Sequence, residues 1–289
     1  MNRYIALKKI VDLGSFSRAA ETMGYSQSAV SQMISSLEEE LSIKLVNRFR
    51  SGARLTLEGE ELFPYIERMI YQYDAVQEKT KEIKGLQTGT IRMGTLSSIS
   101  THWLPEIIKQ FQILYPGVDF VIHQGDYTSI QNWIKTGMID FGFINPAAAS
   151  GIRTEPLKQG EMLAVLPEDH PLAAKEVVPL EDLAKEPFIL LEEGHYYEPL
   201  EMFKKAGVKP NVKYTIHDDY AIMTMVEAGL GVSILAELIL HRTNYRLALR
   251  STVPPVFRTI AVGYKDKASL SMASQRFIEY LKAHIDELP

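Results

Sequence analysis

The 289-residue chain contains no cysteine. That excludes disulfide staples, thiolate nucleophiles, cysteine-ligated zinc and thiol redox sensing. Long apolar runs are also missing. No stretch reaches the ~18 residues that a spanning helix needs, so no membrane partner is expected. The first residues, Met1–Val11, are amphipathic and lysine-bearing. They lack the continuous apolar core and small-residue cleavage site of a secretory signal, and a cytoplasmic location is expected. Catalytic signatures are absent as well: there is no GxSxG elbow, phosphate loop, HExxH pair or dinucleotide fingerprint. Ser98, His102 and Asp126 could be drawn as a triad, but nothing around them would activate a nucleophile. His102, His123, His195 and His217 do not fall at metal-ligand spacings, so neither metal nor cofactor is expected. Positive charge is in deficit, with 31 Lys and Arg against 36 Asp and Glu. What is present is ordinary globular material, 46% hydrophobic, in a length that suggests two or three domains.

The charge deficit is uneven. Residues 1–57 carry a net +3, residues 58–88 a net −3 and residues 89–289 a net −5. Between Leu41 and Leu57 stand Lys44, Arg48, Arg50 and Arg54 with no acid among them. Phosphate contact needs such a local patch, not a basic whole.

The patch adjoins a run of short helices. Ile5, Leu7, Ile10 and Val11 give the first an apolar face that ends near Gly14. Ser15 or Ser17 can cap a second helix, Gly24 supplies a turn needing positive φ, and Ser26 can cap a third over about 27–37. A small residue at Ala20 lets two helices cross closely, and Val30 packs back beneath them, which is helix-turn-helix geometry. The third helix turns Gln27, Ser28, Ser31, Gln32 and Ser35 outward. These short or amide side chains suit base edges and phosphates, whereas an ordinary surface helix favours Glu, Lys and Ala. Phe49, Leu55 and the arginines around Gly52 then suggest a two-stranded wing. Candidate DNA-contacting residues are Ser26, Gln27, Ser28, Ser31 and Gln32, with Arg48, Arg50 and Arg54.

Thr56 can cap a long helix whose first turn holds Glu58, Glu60 and Glu61 at the positive end of its dipole. Leu62, Ile66, Met69, Tyr73 and Val76 alternate at spacings of four and three, a heptad seam suited to pairing with a second copy. Pro64 falls in the second turn. From Thr90 the pattern changes to strands alternating with helices. Strands are expected near 90–96, 118–124, 139–144, 162–166, 188–191, 212–216, 231–235 and 259–264. Helices are expected near 101–114, 129–136, 199–206, 220–228 and 269–285.

The segments GSFSRAAE at 14–21, SQSAVSQMI at 26–34, Leu37-Glu38 and RLTLEGEEL at 54–62 resemble the LysR-type transcriptional regulators. A looser likeness runs on through VLPEDHPLA at 165–173, PFILL at 187–191 and VEAGLGVSIL at 226–235. Gln32, Met33 and Ser51 depart from residues common in that family. The resemblance implies a multi-domain chain: an all-α winged helix-turn-helix head (1–57), a long dimerisation linker helix (58–88) and an α/β two-lobed periplasmic-binding-protein-like effector domain (89–289). Lobe one would comprise 89–161 plus 266–289, and lobe two 162–265. It further implies a homodimer or homotetramer on double-stranded DNA of dyad symmetry, a small-molecule effector between the lobes, and RNA polymerase as a further partner.

In open α/β sheets, ligands bind at the carboxyl ends of strands. Those ends offer Ser97, Ser98, Thr101 and His102; then Asp126 and Tyr127; then Asn145. Lobe two adds Glu193–Tyr197, of which His195 and Tyr196 could close on a ligand, and the turn at Gly229–Gly231. The hydroxyls near 97–101 favour an organic acid, and the resemblance marks Ser98 as an effector-contacting serine. Asp126 would repel an anion and suit an amine or hydroxyl. A transcription factor is thus expected, ahead of a solute-binding protein, which would have no DNA-binding head, and of an enzyme.

Overall fold

The computed structural model describes residues 1–49, 52–83, 88–241 and 243–289. Arg50 and Ser51 lie outside the described residues. The chain forms two compact units, Met1–Thr80 and Lys81–Pro289.

The first unit comprises α1 (Asn2–Leu13), α2 (Phe16–Met23), α3 (Gln27–Leu41), the hairpin β1 (Val46–Phe49) and β2 (Gly52–Leu55), and most of α4 (Leu57–Ile83). Ser15 caps α2 by accepting from Arg18 N, and Ser26 caps α3 by accepting from Ala29 N. Gly24 has φ 69°, the left-handed turn that separates the two helices. Ala20 and Val30 meet in a core shared with Leu7, Ile10 and Leu37. Burying a side chain such as Val30 stabilises by roughly 1.5–3 kcal/mol. The hairpin is held at both ends. Ala53 N donates to Gly14 O at 2.9 Å, and a Cβ on Gly52 would come within 2.5 Å of the same carbonyl. At its base, the buried Glu38 carboxylate accepts from Leu45 N at 2.9 Å and Val46 N at 3.1 Å, and from Lys44 Nζ at 2.6 Å. Burial opposes ionisation of Glu38, but Lys44 and the two N–H groups outweigh it and hold its pKa below the usual carboxylate range.

The Thr56 hydroxyl caps α4, accepting from Gly59 N at 2.9 Å. Pro64 stands inside the helix, where it removes one backbone donor and faces solvent. The head does not stop at residue 57. Ile66 and Ile70 are buried in its core, and Glu67 pairs with Lys8 of α1 at 2.7 Å. Ile66 is only 7% exposed and spends its side chain inside the head, not on a seam. Leu62 packs partly against the same core, while Tyr65, Met69, Tyr73 and Val76 stay exposed. The exposed apolar stripe is therefore rotated from the one the heptad spacing suggested.

The second unit follows as β3 (Gly89–Thr95), α5 (Ser97–His102), α6 (Leu104–Leu114), β4 (Val118–Gln124), α7 (Tyr127–Thr136) and β5 (Phe141–Ile144). Next come β6 (Arg153–Pro167), β7 (Val177–Pro179), α8 (Leu180–Leu183), β8 (Pro187–Leu191), α9 (Glu198–Lys205), β9 (Asn211–Ile216) and α10 (Asp219–Glu227). The chain closes with β10 (Ser233–Ala236), α11 (Glu237–Leu240), β11 (Leu247–Val253), β12 (Val256–Tyr264) and α12 (Met272–Ala283).

The main sheet runs β4-β3-β5-β12-β6-β11-β7, with β10 also on β6; β8 and β9 form a separate parallel pair. β6 and β12 are the crossovers between two lobes. Arg153–Pro156 of β6 pairs with Ala261–Tyr264 of β12, and Met162–Val165 pairs with β10. In lobe one, Phe111, Phe141, Phe143 and Phe277 pack around β3 and β5. In lobe two, Phe188 and Phe203 form one cluster, and Ile189, Ile222 and Leu235 another. Ile260, Val262 and Tyr264 belong to the lobe-one core, so lobe two does not extend to residue 265. The chain crosses between lobes near 257–260, where β12 carries a register shift after Ile260. Two further departures from the expected elements have local causes. β6 begins nine residues before Met162, because its first half is a polar crossover without strand-like alternation. The helix expected over 101–114 is two helices that meet at the buried Trp103, with Pro105 in the first turn of the second.

Candidate functional site

The head presents its polar chemistry outward. Gln27, Ser28 and Gln32 of α3 are exposed and Ser31 is half-buried beside them. The Ser26 oxygen serves the helix as its cap and lies 2.9 Å from Ser28 Oγ. In the hairpin, Asn47 opposes Arg54 and Arg48 opposes Ala53. Because side chains alternate along a strand, Arg48 and Arg54 leave opposite faces of the ribbon. The Arg48 guanidinium stacks over the Phe16 ring at 4.0 Å, which anchors it at the start of α2. Arg54 is exposed. The hairpin is thus tied to the start of α2 through Phe16 and to α3 through Glu38.

The second unit does the reverse and buries its polar groups between the lobes. Arg258, on the crossover β12, donates from Nη2 to Ser98 Oγ at 2.7 Å and from Nη1 to Glu193 Oε1 at 3.4 Å. Glu198, opening α9 of lobe two, accepts on Oε1 from Tyr127 OH and Asn145 Nδ2 of lobe one, both at 2.7 Å. Ser97 donates to Asp219 at the start of α10. His195 bridges in the same sense. Its Nε2 lies 2.9 Å from the Ala148 carbonyl, which can only accept, so Nε2 carries the proton and Nδ1 accepts from Thr128 Oγ1 at 2.7 Å. Beside it, a Cβ on Gly194 would meet Thr128 Oγ1 at 2.3 Å, so the lobes approach closely only because that position is glycine.

This network places one guanidinium among three buried carboxyls. Burial, then the neighbouring Glu198 charge, pushes the Glu193 pKa well above the carboxylate range, against the pull of Arg258. Burial likewise raises Asp219 despite the Ser97 hydroxyl and Arg258. Burial and the charges of Glu193 and Glu198 keep the Tyr127 phenol protonated. Burial works against the charge on Arg258, but the surrounding acids hold it.

Above the network lies an inter-lobe cavity of about 230 Å3 at the carboxyl ends of β3, β4, β8 and β9. Of the ten residues expected at an effector site, Ser97 and Asp126 line it. Ser98, Tyr127, Asn145 and His195 instead bind the lobes together around it. Tyr196 packs its ring 6.5 Å from that of Tyr127. Thr101 is exposed on the last turn of α5, and His102 turns towards His241, their rings 6.3 Å apart. Gly229 is at the far end of α10, with φ 76°, where it ends the helix. Thr101, His102 and Gly229 therefore do not line the cavity. Glu192, Glu193, His217 and Asp219 do. Their one sequence signal is position, since each follows a strand at its carboxyl end. Arg258 gives no signal, standing alone in an otherwise apolar strand.

A helix-turn-helix head followed by a two-lobed binding domain defines a ligand-responsive transcription regulator. The chain belongs to the LysR family: residues 1–60 match the bacterial regulatory helix-turn-helix protein model of that family, and residues 84–286 match the LysR substrate binding domain. It is 32% identical over 277 residues to the HTH-type transcriptional regulator YvbU of Bacillus subtilis, covering 95% of this chain and 94% of that protein. It is 30% identical to the transcriptional dual regulator GltC of the same organism, covering 88% and 87%. Among solved structures, CbnR, a LysR family regulator, superposes with a TM-score of 0.74 at 17% identity over 98% of both chains. Full-length OxyR from Pseudomonas aeruginosa gives 0.68 at 26% identity over 99% and 93%. The chain is a regulator rather than an enzyme, and among the described residues no helix is long and apolar enough to cross a membrane.

Proposed function

We propose that the chain acts in the cytoplasm as a homo-oligomer that reads a DNA site of dyad symmetry and is switched by a small molecule held between the lobes. The observation that carries the DNA reading is the capped α3 with its Ser/Gln face outward beside an arginine-bearing wing. Gln27, Ser28, Ser31 and Gln32 would reach base edges in the major groove, with Arg48 and Arg54 on phosphate or the minor groove. CbnR, of like fold, has been crystallised with its target DNA. Pairing is assigned to the exposed stripe of Tyr65, Met69, Tyr73 and Val76 on α4, which supports two heads per dimer. The effector would act by preferring one arrangement of the lobes over another, since without differential affinity it shifts nothing. RNA polymerase is a further partner where the bound regulator activates transcription. Footprinting on the DNA flanking the chain's own gene tests the proposal. A protected region with two related half-sites is expected, and binding independent of sequence would refute it.

A further inference from the structure

We propose that the two lobes are latched by a proton held between Glu193 and Glu198, so that parting the lobes releases that proton and acid favours the joined arrangement. The latch belongs to the lobe–lobe network and works whatever the cavity binds. Both carboxyls are buried in lobe two, Glu193 after β8 and Glu198 at the start of α9. Glu198 Oε1 takes its donors from lobe one, Tyr127 OH and Asn145 Nδ2, both at 2.7 Å. Its Oε2 is buried and receives no N–H. The group beside it is the Glu193 carboxyl, with which Glu198 shares a hydrogen bond. A hydrogen bond between two carboxyls needs a proton on one of them. Tyr127 and Asn145 already favour the charged form of Glu198, so the proton belongs on Glu193, which donates it.

Charge balance gives the same answer. Glu193, Glu198 and Asp219 surround a single guanidinium, that of Arg258. With all three ionised, two negative charges would stay uncompensated in a buried site. The other titratable groups around Glu193 are Tyr127 and Asp126 of α7, Glu192 and Tyr197 on its own segment, and His217 after β9. Tyr127 keeps its proton, Asp126 caps α7, and Glu192 accepts from Tyr197 OH at 2.7 Å. His195 bridges the lobes nearby, and the imidazoles are the ordinary alternative source of a pH response. Parting the lobes takes Tyr127 and Asn145 from Glu198 and admits water to both carboxyls. Glu193 then ionises in its ordinary range. Its pKa is raised in the joined arrangement, so the latch is complete below the ordinary carboxyl range and fails as pH rises through the raised value. Asp219, raised by burial, acts in the same direction.

The chain has no cysteine, so two introduced ones take labels at unique positions. Gln112 on α6 and Lys205 on α9 are exposed, one on each lobe. Spin labels on Gln112→Cys and Lys205→Cys, in full-length protein diluted into unlabelled chains, report the lobe separation by pulsed electron resonance between about pH 5 and about pH 9. One separation is expected at acid pH, with a second growing in as pH rises. Their ratio should change by up to about tenfold per pH unit, the limit for one proton. Glu193→Gln puts an N–H where the proton stood, and Glu198→Gln turns an N–H back towards Glu193. Both should hold most of the acid separation across the range, and two variants leave one to decide if the other fails to fold. A wild-type separation that is the same at both ends of the range would overturn the proposal. So would the full wild-type shift persisting in either folded variant, which would place the titration on another group such as His195 or His217.

Discussion

The head and the effector domain use polar side chains in opposite ways. On α3, serines and glutamines stand in solvent, with Ser26 the one residue among them that caps the helix. Between the lobes, Ser98, Tyr127, Asn145, Glu193, Glu198 and Asp219 are buried and bonded to one another, to Arg258 or, for Asp219, to Ser97. The first arrangement leaves hydrogen-bonding capacity for an outside partner. The second consumes it to hold two bodies in one relation. An exposed polar group that is removed costs recognition. A buried one costs stability as well, because its former partner is stranded.

The largest effect should therefore come from the buried side. Arg258→Ala removes the one cation among Glu193, Glu198 and Asp219 together with the donor to Ser98, a loss of about 3–5 kcal/mol by urea unfolding of the effector domain. A loss under ~1 kcal/mol would break the comparison. Glu38 is the head's exception, a buried acid. Glu38→Ala strands two N–H groups at the base of the wing and should cost about 1–3 kcal/mol, with DNA binding lost in parallel. As the Glu38 pKa is lowered by folding, its contribution is present above the ordinary carboxyl range and fades as pH falls through the lowered value.

Glu193 has the opposite sign. Its pKa is raised by folding, so its contribution is full below the ordinary carboxyl range and is lost as pH rises through the raised value. Glu193→Gln, which mimics the protonated form, should raise stability near pH 8 by ~1 kcal/mol, about 2–4 °C in melting temperature. That gain should shrink to nothing near pH 4. An equal gain at both pH values would contradict the buried-acid description. The smallest effect should be Arg54→Ala, with no change in melting temperature. It should weaken binding to all DNA sequences and lower the slope of log affinity against log salt by about one.

The same contrast explains what the sequence made legible. The head could be read almost residue by residue, because its signals are local. Ser15, Ser26 and Thr56 cap within three residues, Gly24 turns in place, and the Ser/Gln face is a matter of composition. Ile66 was misplaced because heptad spacing cannot tell a seam facing a second chain from a stripe facing the helix's own domain. The lobe-one strands were legible as apolar runs such as Phe141–Ile144. β7, β11 and the first half of β6 were not: β7 is three residues long, β11 carries Arg250, Ser251 and Thr252 after its apolar start, and β6 opens as a polar crossover. The buried network was mostly hidden. Ser98 and Arg258 are 160 positions apart, and Ser97 and Asp219 are 122 apart. No local pattern joins such residues, and only the crossover of β6 and β12 brings them together. The serines near 97–101 suggested an acid as ligand. In the fold Ser97 donates to Asp219 and Ser98 accepts from Arg258, long-range contacts that the serine pattern does not carry.

The central claim is that the α3 face reads sequence while the wing supplies affinity. Selection from random duplex DNA with full-length protein tests it most directly. Wild type should return a motif with two related half-sites. Gln27→Ala should return that motif with at least one base preference in each half relaxed, and Arg54→Ala the unaltered motif at lower affinity. An unchanged base profile from Gln27→Ala, or an altered one from Arg54→Ala alone, would contradict the account.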